Sequence, residues 1–424
     1  MMRSTKKLIQ HSHPNRSLPL RGIKVLDLSR LLPGGFCSMM LGDFGAEVIK
    51  IEEPGRGDYV RWTPPFVNGQ SAYFLSINRN KKSIVLDLKN PKGTDVFFRL
   101  ARGADVVLES FRPGVVDRLG IGYQHIARVN PRIIYCSISA FGQSGPLRNQ
   151  EGHDLNCLAL AGLLSITGIK GGPLVIPGVQ FSDYAGGMMG IIAILIALIE
   201  RQKNGQGQYC DISMLDAITS WMGMPIIKYL ADGVLPGPQG SMFNGALACY
   251  NVYQTKDDHY VVLGAMEEKF WKSFCNLIER KDLIPLQWEG QAIQEKMREE
   301  LSVLFRKKKR AEWLKLLDGQ GTCFSPVLNL KEALQFPPLR ERGMFRGIQR
   351  KGGKKFPQVG FPIKISKTPA VYSIPPPRMG QDSKSVLQKA GFSLQEIQLL
   401  EEEGIIHSAP ITPTPLRGRA KVGI

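Results

Sequence analysis

The chain has 424 residues, of which 43% are hydrophobic and 22% are charged, and its formal net charge is +18 at pH 7. This composition excludes disordered and fibrous proteins and fits two or three globular domains, at roughly 100 to 200 residues per domain. Runs of basic residues at 306–310 and 351–355 are most simply explained as solvated surface. The net charge favours an anionic partner, but no nucleic-acid-binding motif accompanies it. We therefore expect a polyanionic small molecule rather than nucleic acid.

The seven cysteines are scattered, without a CxxC pair. This spacing indicates neither a metal site nor a disulfide framework, and it favours a reducing compartment. The apolar stretch 186–199 is shorter than the ~20 residues that span a bilayer, so it predicts a buried helix and no membrane partner. The basic first twenty residues are interpreted as a flexible extension, with an organelle transit peptide as the alternative. We expect a cytoplasmic protein, or one of the mitochondrial matrix if that alternative holds.

The first half of the chain alternates between strand and helix patterns. Apolar runs predict strands, helical periodicity predicts the segments between them, and Pro33-Gly34-Gly35 reads as a breaker before a helix at 36–43. This alternation is typical of an α/β fold with a doubly wound parallel sheet. The predicted strands are residues 23–28, 48–51, 83–88, 104–108, 133–139 and 208–213.

Two stretches rich in glycine and proline divide the rest of the chain. We expect a smaller α+β domain between them, and terminal helices that return to the first domain, with Ser393 as an N-cap and Glu396 three residues later. The predicted parts are an extension (1–20), the N-terminal part of a large domain (21–230), a linker (231–245), a small domain (246–334), a second linker (335–378) and the returning C-terminal helices (379–424).

Asp183 is the strongest candidate for chemistry. It lies where a loop turns into the apolar helix, so the helix dipole and free N–H groups are expected to favour its ionised form. A plain helix-capping aspartate is the alternative. Gly186 and Gly187 follow, and their backbone N–H groups are candidate donors to a thioester oxygen that becomes an oxyanion. Packing of the helix against a neighbouring element would explain the glycines equally well.

Two further candidates lie elsewhere in the chain. His153 follows a polar loop, and histidine suits proton transfer near neutral pH, although a structural histidine is the ordinary alternative. Glu267 ends a predicted strand of the small domain. Its carboxylate would either orient an imidazole or face solvent.

Six ordered motifs together resemble the family III coenzyme A transferases of the CaiB/BaiF type, a group that includes the 2-methylacyl-CoA racemases. The resemblance runs in order from about residue 20 to 275 and continues more weakly to the C-terminus. The motifs are GIKVLDLSR (22–30), LGDFGAEVIKIEEPGRGD (41–58), NRNKKSIVLDLK (78–89), ESFRPGVVDRLGIGY (109–123), PRIIYCSISAFGQSGP (131–146) and GHDLN (152–156).

The resemblance implies an interlocked homodimer that binds an acyl-CoA thioester on the large domain. Coenzyme A would enter as part of the substrate, and no other cofactor or metal is expected. Arg112 resembles the family's contact to the nucleotide phosphates. Asn78, Arg79 and Lys82 are further candidates for binding coenzyme A, together with Gly186 and Gly187.

The resemblance also implies roles for the three candidate catalytic residues. Asp183 matches an aspartate that attacks the thioester in the transferases and moves a proton in the racemases. His153 matches the racemase histidine opposite it, and Glu267 matches a nearby racemase glutamate. Together they favour proton transfer at the carbon next to the thioester carbonyl.

Two other readings remain. Residues 57–82 are more typical of transferases, for which Asp183 would be a nucleophile that forms a mixed anhydride with the acyl group. A basic scaffold or nucleic-acid-associated protein without catalysis is the third reading, and the intact candidate residues weigh against it.

Overall fold

A computed structural model describes residues 18–349 and 355–408. Within those residues the strands are β1 (Lys24–Asp27), β2 (Glu47–Glu52), β3 (Phe66–Val67), β4 (Gln70–Ser71), β5 (Lys81–Leu86), β6 (Val106–Glu109), β7 (Ile134–Ser139), β8 (Tyr209–Ser213), β9 (Tyr250–Gln254), β10 (Tyr260–Gly264), β11 (Phe324–Pro326), β12 (Phe345–Ile348), β13 (Phe356–Val359) and β14 (Ile406–His407). 

The helices of the same residues are α1 (Leu31–Asp43), α2 (Ala72–Ile77), α3 (Pro91–Arg102), α4 (Val115–Arg118), α5 (Tyr123–Val129), α6 (Asp154–Leu160), α7 (Phe181–Asn204), α8 (Met214–Trp221), α9 (Gly223–Asp232), α10 (Glu268–Leu277), α11 (Gln291–Phe305), α12 (Arg310–Leu317), α13 (Leu330–Gln335), α14 (Pro337–Glu341), α15 (Ser383–Lys389) and α16 (Leu394–Glu402). Short 3₁₀ turns lie at Tyr59–Trp62, Leu164–Ile166 and Lys281–Leu286.

The chain forms two compact units. Of the described residues, those within 1–157, 179–220 and 341–424 form the first unit, and those within 158–178 and 221–340 form the second. Each unit is therefore assembled from more than one stretch of chain. The predicted domain and linker boundaries stay a prediction.

A seven-stranded sheet forms the centre of the first unit, in the order β14-β5-β2-β1-β6-β7-β8. The last six strands in this order, β5, β2, β1, β6, β7 and β8, are parallel. Strand β14 pairs antiparallel with β5 through Ile406 and Leu86. The strand order reverses at β1, which is the doubly wound arrangement that the alternating sequence predicts. The α/β prediction is confirmed, and the antiparallel edge strand β14 is an addition that the sequence analysis did not contain.

Helix α1 begins earlier than predicted. It starts at Leu31 and includes Pro33-Gly34-Gly35, so the prediction of a breaker there is wrong. Proline is tolerated in the first turn of a helix, because the N–H that it lacks would have no partner in the helix. The glycines let α1 lie close to its neighbours: a Cβ on Gly34 would fall 2.1 Å from the Cβ of Ser29.

Helix α7 packs on α1 and β7 with one face only. Its buried face carries small residues such as Gly187 and Gly190. Its second face is exposed and carries large apolar side chains, those of Ile192, Leu195, Ile196 and Ile199. The prediction of a buried helix is therefore wrong for this second face. By length and composition α7 could cross a membrane, with a mean hydropathy of 1.8, although core helices of soluble proteins pass the same test.

The second unit has a three-stranded antiparallel sheet in the order β11-β10-β9. Its core is aromatic, with Trp271, Phe274, Phe305 and Trp313 all buried. Trp313 donates a hydrogen bond from its indole nitrogen to the carbonyl oxygen of Phe305 at 2.8 Å. Helices α10 to α12 pack around this core, at nearly the predicted positions.

The C-terminal part of the described chain belongs to the first unit. The predicted N-cap at Ser393 is confirmed: its side chain accepts a hydrogen bond from the backbone N–H of Glu396, and the Glu396 carboxylate accepts one from Ser393. This reciprocal pair fixes the start of α16.

Candidate functional site

A cavity of about 820 Å³ opens at the carboxyl ends of the parallel strands of the first unit. Its wall is made by residues that directly follow or end the strands, including Leu28 after β1, Ser110 after β6 and Ser139 at the end of β7. Ligands of doubly wound sheets bind at this edge, where the strand order reverses. The cavity also contains Asp183, His153 and Arg112.

The loop after β1 forms one side of the cavity and is held from below by buried charges. Leu31 has a φ of 62°, which is unusual for a residue with a side chain. Its N–H donates to Asp58 at 3.0 Å, and Asp58 is paired with the buried ammonium of Lys50 at 2.8 Å. Lys50 also donates to the carbonyl oxygen of Ser29 at 2.8 Å. This buried pair therefore fixes the loop in a conformation that it would not adopt alone.

Arg30 connects three of the loops around the cavity. Its guanidinium lies 4.7 Å from the ring centre of Tyr59 and 5.1 Å from that of Phe111. It also donates to the Tyr59 hydroxyl at 2.6 Å and lies 3.3 Å from the carboxylate of Glu53. The sequence analysis did not single out Arg30, because the contacts that define it come from distant parts of the chain.

Asp183 is the third residue of α7, and Gln180 is the N-cap, which makes no side-chain capping bond. The cap comes instead from Asp154, at the start of α6. Its Oδ1 accepts hydrogen bonds from the N–H of Ser182 at 2.7 Å, the Ser182 hydroxyl at 2.8 Å and the N–H of Asp183 at 3.3 Å. Asp154 thus anchors the helix end that carries Asp183. Asp154 belongs to the GHDLN motif, but no local pattern predicts its role, since its partner Ser182 lies 28 residues further along the chain.

Burial, and to a smaller extent the negative charge of Asp154, together raise the pKa of the Asp183 carboxyl to about 7. The expectation that the helix dipole would favour the ionised form is therefore wrong. A helix N-terminus stabilises a nearby anion by roughly 0.3–1 kcal/mol, whereas removal of an ionised carboxylate from water costs several times more. A carboxyl group with this pKa can give or take a proton at neutral pH.

His153 lies in the same cavity, directly before α6. Its side chain is exposed in the chain, and its backbone N–H donates to the side chain of Asn156 at 3.0 Å. Its carbonyl oxygen accepts from the N–H of Asn156 at 3.0 Å and of Cys157 at 3.3 Å. The helix start therefore fixes the backbone at His153, which is one of the residues that line the cavity.

The structure favours the packing interpretation of Gly186 and Gly187. Both are buried inside α7, beyond the first turn, where their N–H groups belong to the helix. A Cβ on Gly186 would lie 2.8 Å from Cγ of Met214, and one on Gly187 would lie 2.7 Å from the carbonyl oxygen of Pro33. The expectation of exposed donors for an oxyanion is not met.

Arg112 is exposed at the mouth of the cavity, in the turn that follows β6. Its guanidinium donates to the carboxylate of Glu151 at 2.6 Å, and both side chains are largely solvent-exposed. Such a surface ion pair contributes little to stability. Arg112 is therefore available to a ligand anion that displaces Glu151.

The structure places Asn78, Arg79 and Lys82 away from the wall of this cavity. The buried Arg79 guanidinium pairs with Asp43 at 2.6 Å and donates to Gln358 at 3.0 Å. Asn78 is also buried, and its amide donates to the carbonyl oxygen of Phe74 at 2.9 Å, while Lys82 pairs with Glu47. These three side chains contact other parts of the protein and contribute to its stability.

Glu267 belongs to the second unit. It is exposed and is the N-cap residue of α10, where it makes no side-chain capping bond. The structure brings Asp183, His153 and Arg112 into one cavity of the first unit, and Glu267 is described only within its own unit. Among the residues that the structure describes, no cluster of His, Cys, Asp and Glu could hold a metal ion.

Comparison with known proteins identifies relatives along most of the chain. The sequence profile of CoA-transferase family III matches residues 20–383. Human succinyl-CoA:glutarate CoA-transferase is 35% identical over 384 residues, covering 89% of this chain and 87% of the human protein. Human alpha-methylacyl-CoA racemase is 35% identical over 396 residues, covering 92% and 98%. The crystal structure of a CAIB/BAIF family protein from Brucella suis superposes with a TM-score of 0.78 at 29% identity, covering 88% of this chain and 100% of the other.

Proposed function

Because the chain belongs to CoA-transferase family III and is an enzyme, we propose that it moves a proton at the carbon next to the thioester carbonyl of an acyl-CoA. His153 and Asp183 act as paired acid and base. One of them removes the α-proton from one face of the substrate and leaves an enolate. The other returns a proton to the opposite face, so the substrate and product differ only in configuration.

One observation carries this proposal: Asp183 and His153 line the same cavity, and the pKa of Asp183 is raised to about 7. A carboxyl group whose pKa lies near neutrality can give or take a proton at that pH, and histidine is the side chain that most often serves as a general acid or base. The likeness to human alpha-methylacyl-CoA racemase over 98% of that protein supports the same reaction. Glu267 would assist as the racemase glutamate that it resembles.

The test uses a 2-methylacyl-CoA of one configuration in deuterated water. We expect the wild type to incorporate one deuterium at the α-carbon, as measured by mass spectrometry, and to form both configurations. His153→Ala and Asp183→Asn should each lower the rate of incorporation by a factor on the order of 10² or more. Wild-type protein that binds the thioester but leaves the α-proton in place would overturn the proposal.

CoA transfer between carboxylic acids is the second candidate, and it is favoured by the equal identity to human succinyl-CoA:glutarate CoA-transferase. In that reaction the ionised Asp183 carboxylate attacks the thioester carbonyl, forms a mixed anhydride and releases the CoA thiolate. The thiolate then attacks the Asp183 carbonyl of the anhydride, which releases the first carboxylate and leaves CoA as a thioester of Asp183. A second carboxylate attacks this thioester, forms a new mixed anhydride and expels the thiolate, which finally attacks the second acyl group, so that the new acyl-CoA leaves and the Asp183 carboxylate is restored. Trapping of an Asp183 acyl adduct by hydroxylamine, with CoA exchange between two acids, would decide for this reaction.

We also propose that Arg112 binds a phosphate group of coenzyme A and that the protein works as an interlocked homodimer without a further cofactor. The exposed apolar residues Ile192, Ile196 and Ile199 of α7 support an interface between copies. Light scattering coupled to gel filtration should give twice the 47.1 kDa chain mass. A monomer at micromolar concentration would contradict the dimer, and loss of activity after dialysis against a chelator would contradict the absence of a cofactor.

A further inference from the structure

Glu109 is a buried carboxyl group beside the cavity, and the proposed reaction does not use it. It is the last residue of β6 and is 1% exposed. Ser137 on β7 lies directly across from it, and Asp211 on β8 lies directly across from Ser137. Neighbouring residues of parallel strands project to the same face, so these three side chains form a row across β6, β7 and β8.

Among the residues that the structure describes, no cation forms an ion pair with Glu109. The pKa of its carboxyl is raised to about 7, chiefly by burial. Hydrogen bonding from Ser137 and from the Phe111 backbone lowers this pKa in part, and the negative charges of Asp117 and Asp211 add to the rise. Burial of a carboxyl group costs free energy, and no salt bridge explains why one is found at this position. A backbone contact does explain it: Oε2 of Glu109 accepts a hydrogen bond from the N–H of Phe111 at 2.6 Å.

The segment that this bond fixes is a wall of the cavity. Ser110, Phe111, Arg112, Pro113 and Val115 all line it. The hydroxyl of Ser110 accepts from the N–H of Arg30 at 2.9 Å, and the ring of Phe111 lies 5.1 Å from the Arg30 guanidinium. Displacement of the Phe111 backbone would therefore move both Arg112 and the support of Arg30.

Asp211 serves the facing loop in the same way. Its two carboxylate oxygens each lie 3.0 Å from the N–H of Gln143, in the loop that leads to His153. Two loops that line the cavity are thus fixed by carboxylates from the same row. Because both loops are fixed by carboxylates on nearby strands, their positions relative to each other are fixed as well. A binding site that uses both loops requires this.

We propose that Glu109 is a positioning residue, whose carboxylate holds residues 110–115 so that Arg112 and Phe111 meet the coenzyme A portion of the substrate. This inference rests on the proposed function. It concerns binding of coenzyme A and leaves the proton-transfer chemistry to Asp183 and His153.

Two conservative variants separate the reach of the side chain from its charge. Glu109→Gln keeps an oxygen at the same distance from the Phe111 N–H, whereas Glu109→Asp keeps the charge but is one methylene too short. We expect the dissociation constant for coenzyme A, measured by calorimetry, to rise about tenfold in Glu109→Asp and about threefold or less in Glu109→Gln. The turnover at saturating substrate should stay within about twofold of wild type in both.

Val96→Ala is the control. It weakens the core on α3, away from the cavity, without altering a neighbour of Glu109. It should bind coenzyme A like the wild type. Equal binding by Glu109→Asp and wild type would overturn the proposal, as would equal loss in Glu109→Asp and Val96→Ala. Wild-type protein that does not bind coenzyme A would instead overturn the proposed function.

Discussion

Oδ1 of Asp154 lies 3.3 Å from the backbone nitrogen of Asp183 and accepts its hydrogen, so one carboxylate anchors the backbone of the other. The two groups act on each other in two ways. The hydrogen bonds from Ser182 and Asp183 fix the helix start, and the charge of Asp154 keeps a proton on Asp183 to higher pH. A cap supplied from a separate helix therefore sets both the position and the ionisation of the central residue.

Asp154→Asn should shift the pH dependence of turnover to lower pH. The amide oxygen can still accept from Ser182, so α7 keeps its cap, while the loss of charge lowers the pKa of Asp183. Because burial is the larger cause and remains, we expect a shift of roughly half a unit to one unit in the acid limb of the pH–rate profile. An unshifted acid limb with normal folding would contradict this coupling. Asp154→Ala is the matched variant that loses the cap as well, at about 1 kcal/mol of stability.

Asp183→Asn should stabilise the protein in a pH-dependent way. The folded carboxyl keeps its proton up to a pH of about 7, whereas its ordinary pKa is 3.8. Between these two pH values the folded state binds more protons than the unfolded state, so the free energy of unfolding falls as the pH rises. Above pH 7 the folded protein carries the full free-energy cost of a buried, ionised carboxylate. We expect the variant to gain on the order of 2–4 kcal/mol at pH 8 and almost nothing below pH 3.8. Urea unfolding of both proteins across this range provides the measurement, and a gain that is equal at all pH values would argue against the raised pKa.

Arg112→Ala should raise the KM for acyl-CoA about tenfold with a smaller change in kcat, because it removes a cation that meets the substrate outside the reacting atoms. Arg118→Ala is the control, since that arginine is exposed on α4 but lies outside the cavity wall. Glu151→Gln should lower the KM, because it removes the anion that competes for Arg112. Identical KM values for the two arginine variants would rule out the phosphate contact.

Arg79→Ala should unfold the first unit more readily without changing affinity for coenzyme A. It leaves the carboxylate of Asp43 buried and unpaired, at a cost of about 3–5 kcal/mol. The double variant Arg79→Met with Asp43→Leu should recover part of this loss, because no unpaired charge remains. Thermal unfolding measures the first effect and calorimetry with coenzyme A the second. A specific loss of affinity in the double variant would restore Arg79 as a ligand contact.

Gly187→Ala should cost more stability than Gly186→Ala. A methyl group at 187 would press on a backbone oxygen of Pro33 at 2.7 Å, whereas at 186 it meets the flexible side chain of Met214. Helix propensity favours alanine by up to about 1 kcal/mol at both positions, so we expect a net loss of about 1–3 kcal/mol at 187 and close to none at 186. Denaturant midpoints of the two variants decide the matter, and equal midpoints would contradict close packing of α1 on α7.

Local sequence patterns predicted the helices and strands of this fold well, but they predicted poorly which distant residues surround each side chain. Helix α12 has the predicted bounds, and the Ser393 cap with Glu396 is present, because periodicity and capping act over a few neighbouring residues. The start of α1 was missed, since Gly35 allows a close approach to Ile77 of α2, where a Cβ would fall 2.8 Å from its Cδ1, and this contact belongs to tertiary packing. Membership of family III followed from ordered motifs and is confirmed by the profile match.

The sequence predicted which residues meet in the candidate site, but it did not predict the ionisation of those residues. Asp183, His153 and Arg112 share a cavity, but the ionisation of Asp183 depends on burial and on Asp154, which lies 29 residues away. Arg79 fits the pattern of a basic turn, and only the fold reveals that Asp43, 36 residues earlier, already neutralises it. Partners so distant in sequence leave no local signal.

Strand β14 has a consequence for how the chain is made. It covers the edge of β5 through Ile406 and His407, and helices α15 and α16 precede it. A ribosome delivers all of the second unit, residues 158–178 and 221–340, before these last pieces of the first unit appear. Until residue 407 has left the exit tunnel, β5 presents open backbone N–H and C=O groups to other nascent chains. Truncation near the C-terminus should therefore reduce the yield of soluble protein far more than its distance from Asp183 suggests.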